Sequence, residues 1–125
     1  MSLILIVEDN EKNLKLVRDV LQFKGYQTIE AMTGTEGVKL AKERKPDLVL
    51  MDIQLPDIDG ITALRQIRAD PNTKDMPVIA VSASVMPDDQ QRIVASGFND
   101  YVMKPINVKN FVETVEKFAG KPSKA

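Results

Sequence analysis

The sequence predicts an α/β domain in which five parallel strands form one doubly wound sheet with helices on both faces. Three observations predict it. Apolar runs at residues 3–7, 48–51 and 78–81 are long enough for buried strands and too short for helices. The segments between strands place apolar residues at helical spacing, as with Leu14, Val17, Val20 and Leu21. The two kinds of segment alternate along the chain, which is the pattern of a parallel sheet covered on both sides. The 125 residues are the size of one domain and can bury roughly two-thirds of the unfolded surface.

Residues 3–7 (LILIV) are continuously apolar and read as a central strand buried on both faces. The run stops on Glu8, Asp9 and Asn10. A helix fits 11–24 and stops at Gly25. Residues 26–31 form a weaker strand, interrupted by polar residues, and belong at an edge. Thr33, Gly34 and Thr35 make a turn that caps a helix over 35–44, with Val38, Leu40 and Ala41 on its apolar side. Lys45 and Pro46 end it, because the residue before a proline avoids helical angles.

A strand over 47–51 (DLVLM) comes next. It stops on Asp52, and a polar loop punctuated by Pro56 and Gly60 follows. A helix near 61–69 turns Leu64 and Ile67 inward, and Asp70, Pro71 and Asn72 form a turn. Pro77 leads into a strand over 78–81 that ends on Ser82. Residues 83–86 are loop, and Pro87 suits the first turn of a helix that runs to Ser96, before Gly97. A short strand over 100–103 ends on Lys104 and Pro105. The last helix covers about 107–118, with Phe111, Val115 and Phe118 on one face. Beyond Gly120 a polar segment forms a loose tail. Right-handed crossovers restrict the winding. The flavodoxin-like strand order 2-1-3-4-5 suits a sheet of this size and puts its switch point between strands 1 and 3.

Composition removes several chemistries. There are no cysteines and no histidines, so disulfides, thiolate sites, zinc-histidine sites and histidine general bases are excluded. The 17 basic and 18 acidic residues leave a net charge of -1, which gives no support to nucleic-acid or anionic-membrane binding. No apolar run approaches the ~20 residues of a membrane span and no signal-peptide pattern opens the chain. A cytoplasmic location is expected.

The functional signal lies in how the strands end. Strand 1 ends on Glu8 and Asp9, strand 3 on Asp52, strand 4 on Ser82 and strand 5 on Lys104. In a parallel sheet these ends share one edge, the edge where open α/β sheets bind ligands. Three carboxylates, a hydroxyl and an ammonium therefore converge there. Two carboxylates ~4 Å apart repel by about 4 kcal/mol at an effective dielectric near 20. Such a cluster requires protons or a cation. An all-oxygen donor set points to a hard divalent ion, and Mg2+ suits a few carboxylates with remaining waters. A carboxylate between a divalent ion and a fixed ammonium is equipped to attack phosphorus, with the hydroxyl bonding a phosphoryl oxygen. Glu8 or Ser82 taken singly reads as an ordinary polar strand end; the joint set does not.

Four ordered segments carry a family resemblance: VEDN at 7–10, PDLVLMDIQLPDIDG at 46–60, VSAS at 81–84 and YVMKP at 101–105. The chain resembles a response-regulator receiver domain of the CheY-like kind, the phospho-accepting part of two-component signalling, over essentially its whole length. Within the family it looks most like stand-alone receivers of the DivK type or receivers cut from hybrid kinases. The resemblance implies that Asp52 is the phosphorylated aspartate. It implies that Glu8, Asp9, Asp52 and the backbone carbonyl of Gln54 hold Mg2+, and that Lys104 pairs with the phosphoryl group. Ser82 fills the place of the switch hydroxyl and Tyr101 that of the aromatic switch. A cis peptide is implied at Lys104–Pro105.

The polar residues 121–125 read as a flexible tail, and the same resemblance implies a receiver over 1–120. It implies a signalling module whose only catalysis is its own phosphorylation and dephosphorylation. A histidine kinase or histidine phosphotransfer protein would supply the phosphoryl group. A downstream protein would read the result on the face of helix 4, strand 5 and helix 5, about 88–118, with no nucleic acid or membrane involved.

Two other classes compete. A Mg2+-dependent phosphohydrolase with an aspartate nucleophile, of the haloacid-dehalogenase type, would want a second acid two residues after the nucleophile, where this chain has Gln54. A flavin-binding flavodoxin would want a phosphate loop after strand 1, where Glu8, Asp9 and Asn10 would repel a phosphate. Asp57 and Asp59 read as turn formers, Gly60 as a backbone requirement, and Met76, Met86 and Met103 as packing. Tyr101 fits a half-buried packing role as well as a switching one.

Overall fold

The computed structural model describes residues 2–83 and 87–120, with side chains at all of these except 87–89. Five strands, β1 (Leu3–Val7), β2 (Gln27–Ala31), β3 (Leu48–Asp52), β4 (Val78–Ser82) and β5 (Asp100–Met103), alternate with five helices. The helices are α1 (Glu11–Phe23), α2 (Gly34–Arg44), α3 (Gly60–Ala69), α4 (Pro87–Ala95) and α5 (Val108–Ala119). All four strand pairings are parallel, and the order is β2-β1-β3-β4-β5. The expected doubly wound, flavodoxin-like architecture is the one observed.

Alternation along the strands sorts the core into two halves, because successive side chains point to opposite faces. Ile4, Ile6, Leu48, Leu50, Ile79 and Val81 pack on one face against Leu14, Val17 and Leu21 of α1 and Phe111, Val112 and Val115 of α5. Leu5, Val7, Val49, Met51, Val78 and Ala80 pack on the other with Val38 of α2, Leu64 and Ile67 of α3 and Ile93 of α4. Residues of β1, β3 and β4 thus serve both halves, which is why these strands read as unbroken apolar runs. Strand β2 is mostly half-buried and lies at the edge, as its polar interruptions predict.

Helix ends follow side-chain caps. Asn10 accepts the N–H groups of Lys12 and Asn13, Thr33 that of Glu36, Asp59 that of Thr62 and Asn107 that of Asn110. These caps set the starts at Gly34, Gly60 and Val108, each one residue from the expected boundary. Strand β3 also shifts by one residue. The Asp47 N–H donates to the Leu3 carbonyl at 2.8 Å but its carboxylate, not a backbone carbonyl, accepts the Leu3 N–H at 2.7 Å, while Asp52 pairs with Val81 and joins the ladder. The Lys104–Pro105 bond is cis. The expected tail at 121–125 with Lys121 and Lys124, and the loop residues Ser84, Val85 and Met86, lie outside the described residues. Among the described residues no helix is long and apolar enough to cross a membrane.

Candidate phospho-acceptor and metal site

Register brings the strand-end groups together. Val7 pairs with Met51, so Glu8 and Asp52 leave their strands side by side. Ser82 pairs with Met103, so Lys104 follows directly beside it. Candidate ligand oxygens of Glu8, Asp9 and Asp52 all lie within 4.8 Å of one another. The Lys104 Nζ stands 3.0 Å from Glu8 Oε1 and 3.0 Å from Asp52 Oδ2. Glu8 and Asp52 are buried, whereas Asp9 is exposed at the rim. These residues, with Asn13, Gln54 and Pro56, line an open cleft of about 490 Å³.

The electrostatics of the cluster are unbalanced: three carboxylates face one ammonium. Burial, then the hydrogen bond and charge of Asp52, push the Glu8 carboxyl up to about 7, against the opposing pull of Lys104. Burial alone would lower the Lys104 ammonium, but Glu8 and Asp52 carry it above its ordinary value. A buried acid that retains its proton near neutrality is what a carboxylate cluster needing a further cation should show. The donor set and its spacing fit a hard divalent ion.

Three other predicted residues stand as follows. The Gln54 N–H donates to Asp52 Oδ1 at 3.1 Å, which folds the loop back over the Asp52 side chain. Ser82 is buried and shares with Asp52 and Arg92 a smaller cavity of about 120 Å³ beside the cleft. Tyr101 stands apart from the cluster. Its ring is half-buried against the α2–α3–α4 side of the core and its hydroxyl donates to Gln90 Oε1 at 3.3 Å.

Gly60 takes part through space rather than through its dihedral angles. A Cβ there would collide with the Asp52 carbonyl oxygen and come within 2.9 Å of Ile53 Cα. Asn13 and Arg92 were not singled out by the sequence. Asn13 follows from recognising Asn10 as a helix cap, which puts Asn13 in the first helical turn. Arg92 reaches the smaller cavity only through the packing of α4, which no local motif encodes.

Residues 4–116 match the response regulator receiver domain family. The chain belongs to that family. It is 44% identical over 117 residues to the polar-differentiation response regulator DivK of Brucella anthropi, covering 94% of this chain and 95% of that one. The receiver domain of sensor histidine kinase PA1611 from Pseudomonas aeruginosa PAO1 shares 33% identity at a TM-score of 0.88, over 95% of this chain and 98% of that one. That structure holds a magnesium ion coordinated in its active-site cleft. A response regulator from Chloroflexus aurantiacus J-10-fl shares 29% identity at a TM-score of 0.90, over 94% and 97% of the two chains.

This receiver is therefore a phospho-acceptor and signalling module of two-component signalling. Its partner class is a histidine kinase or a phosphotransfer protein. Glu8, Asp9 and Asp52 form an acidic cluster that fits a hard divalent ion.

Proposed function

We propose that Asp52 receives the phosphoryl group, that Glu8, Asp9, Asp52 and the Gln54 carbonyl hold Mg2+, and that Lys104 and Ser82 take the phosphoryl oxygens. The observation that carries this is the position of the Lys104 ammonium, 3.0 Å from both Asp52 and Glu8. Asp52 Oδ1 accepts the Gln54 N–H and Oδ2 accepts from Lys104, so the carboxylate is held in one orientation facing the cleft. Bound Mg2+ would offset charge on the acceptor carboxylate and on the phosphoryl oxygens. Lys104 anchors the same oxygens from the strand-5 side. Labelling by acetyl phosphate should require Mg2+ and stop on adding EDTA; labelling that survives EDTA would remove the metal from the proposal.

Metal affinity should follow the charge on Glu8. With Glu8 raised from 4.5 to about 7, the site binds Mg2+ by releasing a proton at pH values between the two. Affinity should fall by up to about tenfold per pH unit below 7 and level off above it. Without Mg2+ the stability trend runs the opposite way. Glu8 contributes stability that is fully present below its ordinary value and lost as pH rises through about 7. Calorimetric titrations across this range check both; an affinity flat from pH 5 to pH 8 would contradict the Glu8 assignment. Asp9→Asn should weaken Mg2+ at every pH, since it removes one of the three converging charges.

Phosphorylation adds about two negative charges at this edge of the sheet. We infer that Ser82 and Lys104 shift toward them and that Tyr101, already half-buried, turns further inward as Ser82 vacates space. Because the Tyr101 hydroxyl engages Gln90 of α4, such a turn would break one β5–α4 contact and change the face formed by α4, β5 and α5. That face is the proposed contact for a downstream protein in the cytoplasm. Ser82→Ala and Tyr101→Ala should accept phosphate yet respond weakly. Amide chemical shifts over 90–104 with and without beryllofluoride would show it. If Ser82→Ala gives the parent's shift pattern on adding the mimic, the hydroxyl is not part of the switch.

A further inference from the structure

The loop after Asp52 is fastened to a helix that contributes nothing to the cleft. Residues 53–59 join β3 to α3. The Asp57 carboxylate in this loop faces the start of α2. The Gly34 N–H donates to Oδ1 at 2.8 Å and the Thr35 N–H to Oδ2 at 2.9 Å, so each oxygen takes one backbone donor. The Thr35 hydroxyl, with the N–H groups of Thr35, Ile58 and Gly34, holds the Asp57 carboxyl well below the usual range. Beside this fork, Ile58 lies directly on Gly34, where a Cβ would come within 2.5 Å of Ile58 Cγ1. The base of the loop is closed by the Gly60 N–H, which donates to the Ile53 carbonyl at 2.8 Å.

Asp57 itself is exposed and does not line the cleft. Besides the adjacent Ile58 N–H of its own loop, it bridges 22 residues of sequence to Thr35. An acid at this place also suits the positive end of α2.

We propose that Asp57 is a positioning residue for the metal site: by tying residues 53–59 to the N-terminus of α2, it sets where Gln54 stands relative to Asp52. This rests on the reading of Asp52 and the Gln54 carbonyl as metal ligands. Groups that orient metal ligands without touching the ion commonly contribute about tenfold or more to affinity. Asp57→Ala frees the loop from α2, whereas Asp57→Asn keeps one acceptor oxygen for one of the two N–H groups.

The test compares Mg2+ titrations of the parent, Asp57→Ala, Asp57→Asn, Asp9→Asn and a control, Asp47→Ala. Asp47 also accepts a backbone N–H, that of Leu3 at 2.7 Å, but at the opposite edge of the sheet. Asp57→Ala should bind Mg2+ about tenfold more weakly, with Asp57→Asn between it and the parent. Its acetyl-phosphate labelling rate at saturating Mg2+ should stay close to the parent's. Asp47→Ala should keep the parent's affinity even where its melting temperature drops. Parent-like affinity in Asp57→Ala, or an equal loss in Asp47→Ala, would overturn the positioning role while leaving the site assignment intact. A parent that binds no Mg2+, or whose binding is indifferent to Asp9→Asn, would overturn the site assignment and this role with it.

Discussion

Asp52→Asn should abolish labelling by acetyl phosphate in the presence of Mg2+. The change is nearly isosteric, so the buried site at the end of β3 keeps its shape. What it removes is the nucleophilic oxygen and one negative charge. An amide oxygen is a much poorer nucleophile than a carboxylate, and the neutral side chain no longer pairs with Lys104, 3.0 Å away. The same substitution has a second consequence that does not involve phosphate. Asp52 raises Glu8 through both a hydrogen bond and its charge. Glu8 in the variant should therefore titrate below the parent's value of about 7, with burial left as the main cause of its elevation. Titration of the Glu8 side-chain carboxyl by NMR reads this directly. Labelling of Asp52→Asn at the parent's yield would show that the acceptor lies elsewhere.

Phe111→Ala should be the most damaging single change to the fold. Phe111 is fully buried on the α1–α5 side of the sheet, among Ile4, Leu48, Leu50 and Val115. Truncating a buried phenylalanine loses its transfer free energy and leaves a cavity, together about 3–5 kcal/mol. Against a stability of about 5–15 kcal/mol for a domain, that is a large fraction. The melting temperature should drop by about 10 °C or more. Urea unfolding should show a lower midpoint with an unchanged slope. A loss below about 1 kcal/mol would mean that the surrounding side chains close the cavity, contrary to a tightly packed interior.

The legibility of the sequence differed between the sheet and the site in an instructive way. The strands of the core announced themselves because Leu5 and Ile6, or Val49 and Leu50, are buried on opposite faces of the same sheet. Double-sided burial leaves no polar residue in the run. The site was legible for a related reason: the buried runs of β1 and β3 stop at Glu8 and Asp52 on the carboxyl edge, and Lys104 follows the half-buried β5 at the same edge.

What sequence could not supply was set by contacts between distant segments. The Asp57 carboxylate looks like any loop acid until α2 is placed beside it. Gly60 carries no positive φ among the glycines that do, and its need for a bare Cα appears only when the Asp52 carbonyl is seen against it. Tyr101 gave an ambiguous signal because β5 is an edge strand whose residues are mostly half-buried. Its hydroxyl contact with Gln90 depends on the placement of α4. The one-residue shifts at β3 and the helix starts arise where capping side chains, rather than hydrophobic periodicity, decide the boundary.

The most direct measurement is to map the phosphorylated residue chemically. The protein is labelled with acetyl phosphate and Mg2+, the acyl phosphate is reduced with borohydride to homoserine, and the modified position is located by peptide mass spectrometry. Homoserine at position 52, absent when EDTA precedes the label, is the expected result. Homoserine at Asp9 or Asp57, or 5-hydroxynorvaline at Glu8, in place of homoserine at position 52, or modification that proceeds equally without Mg2+, would contradict the assignment of Asp52 as acceptor in a metal-dependent site.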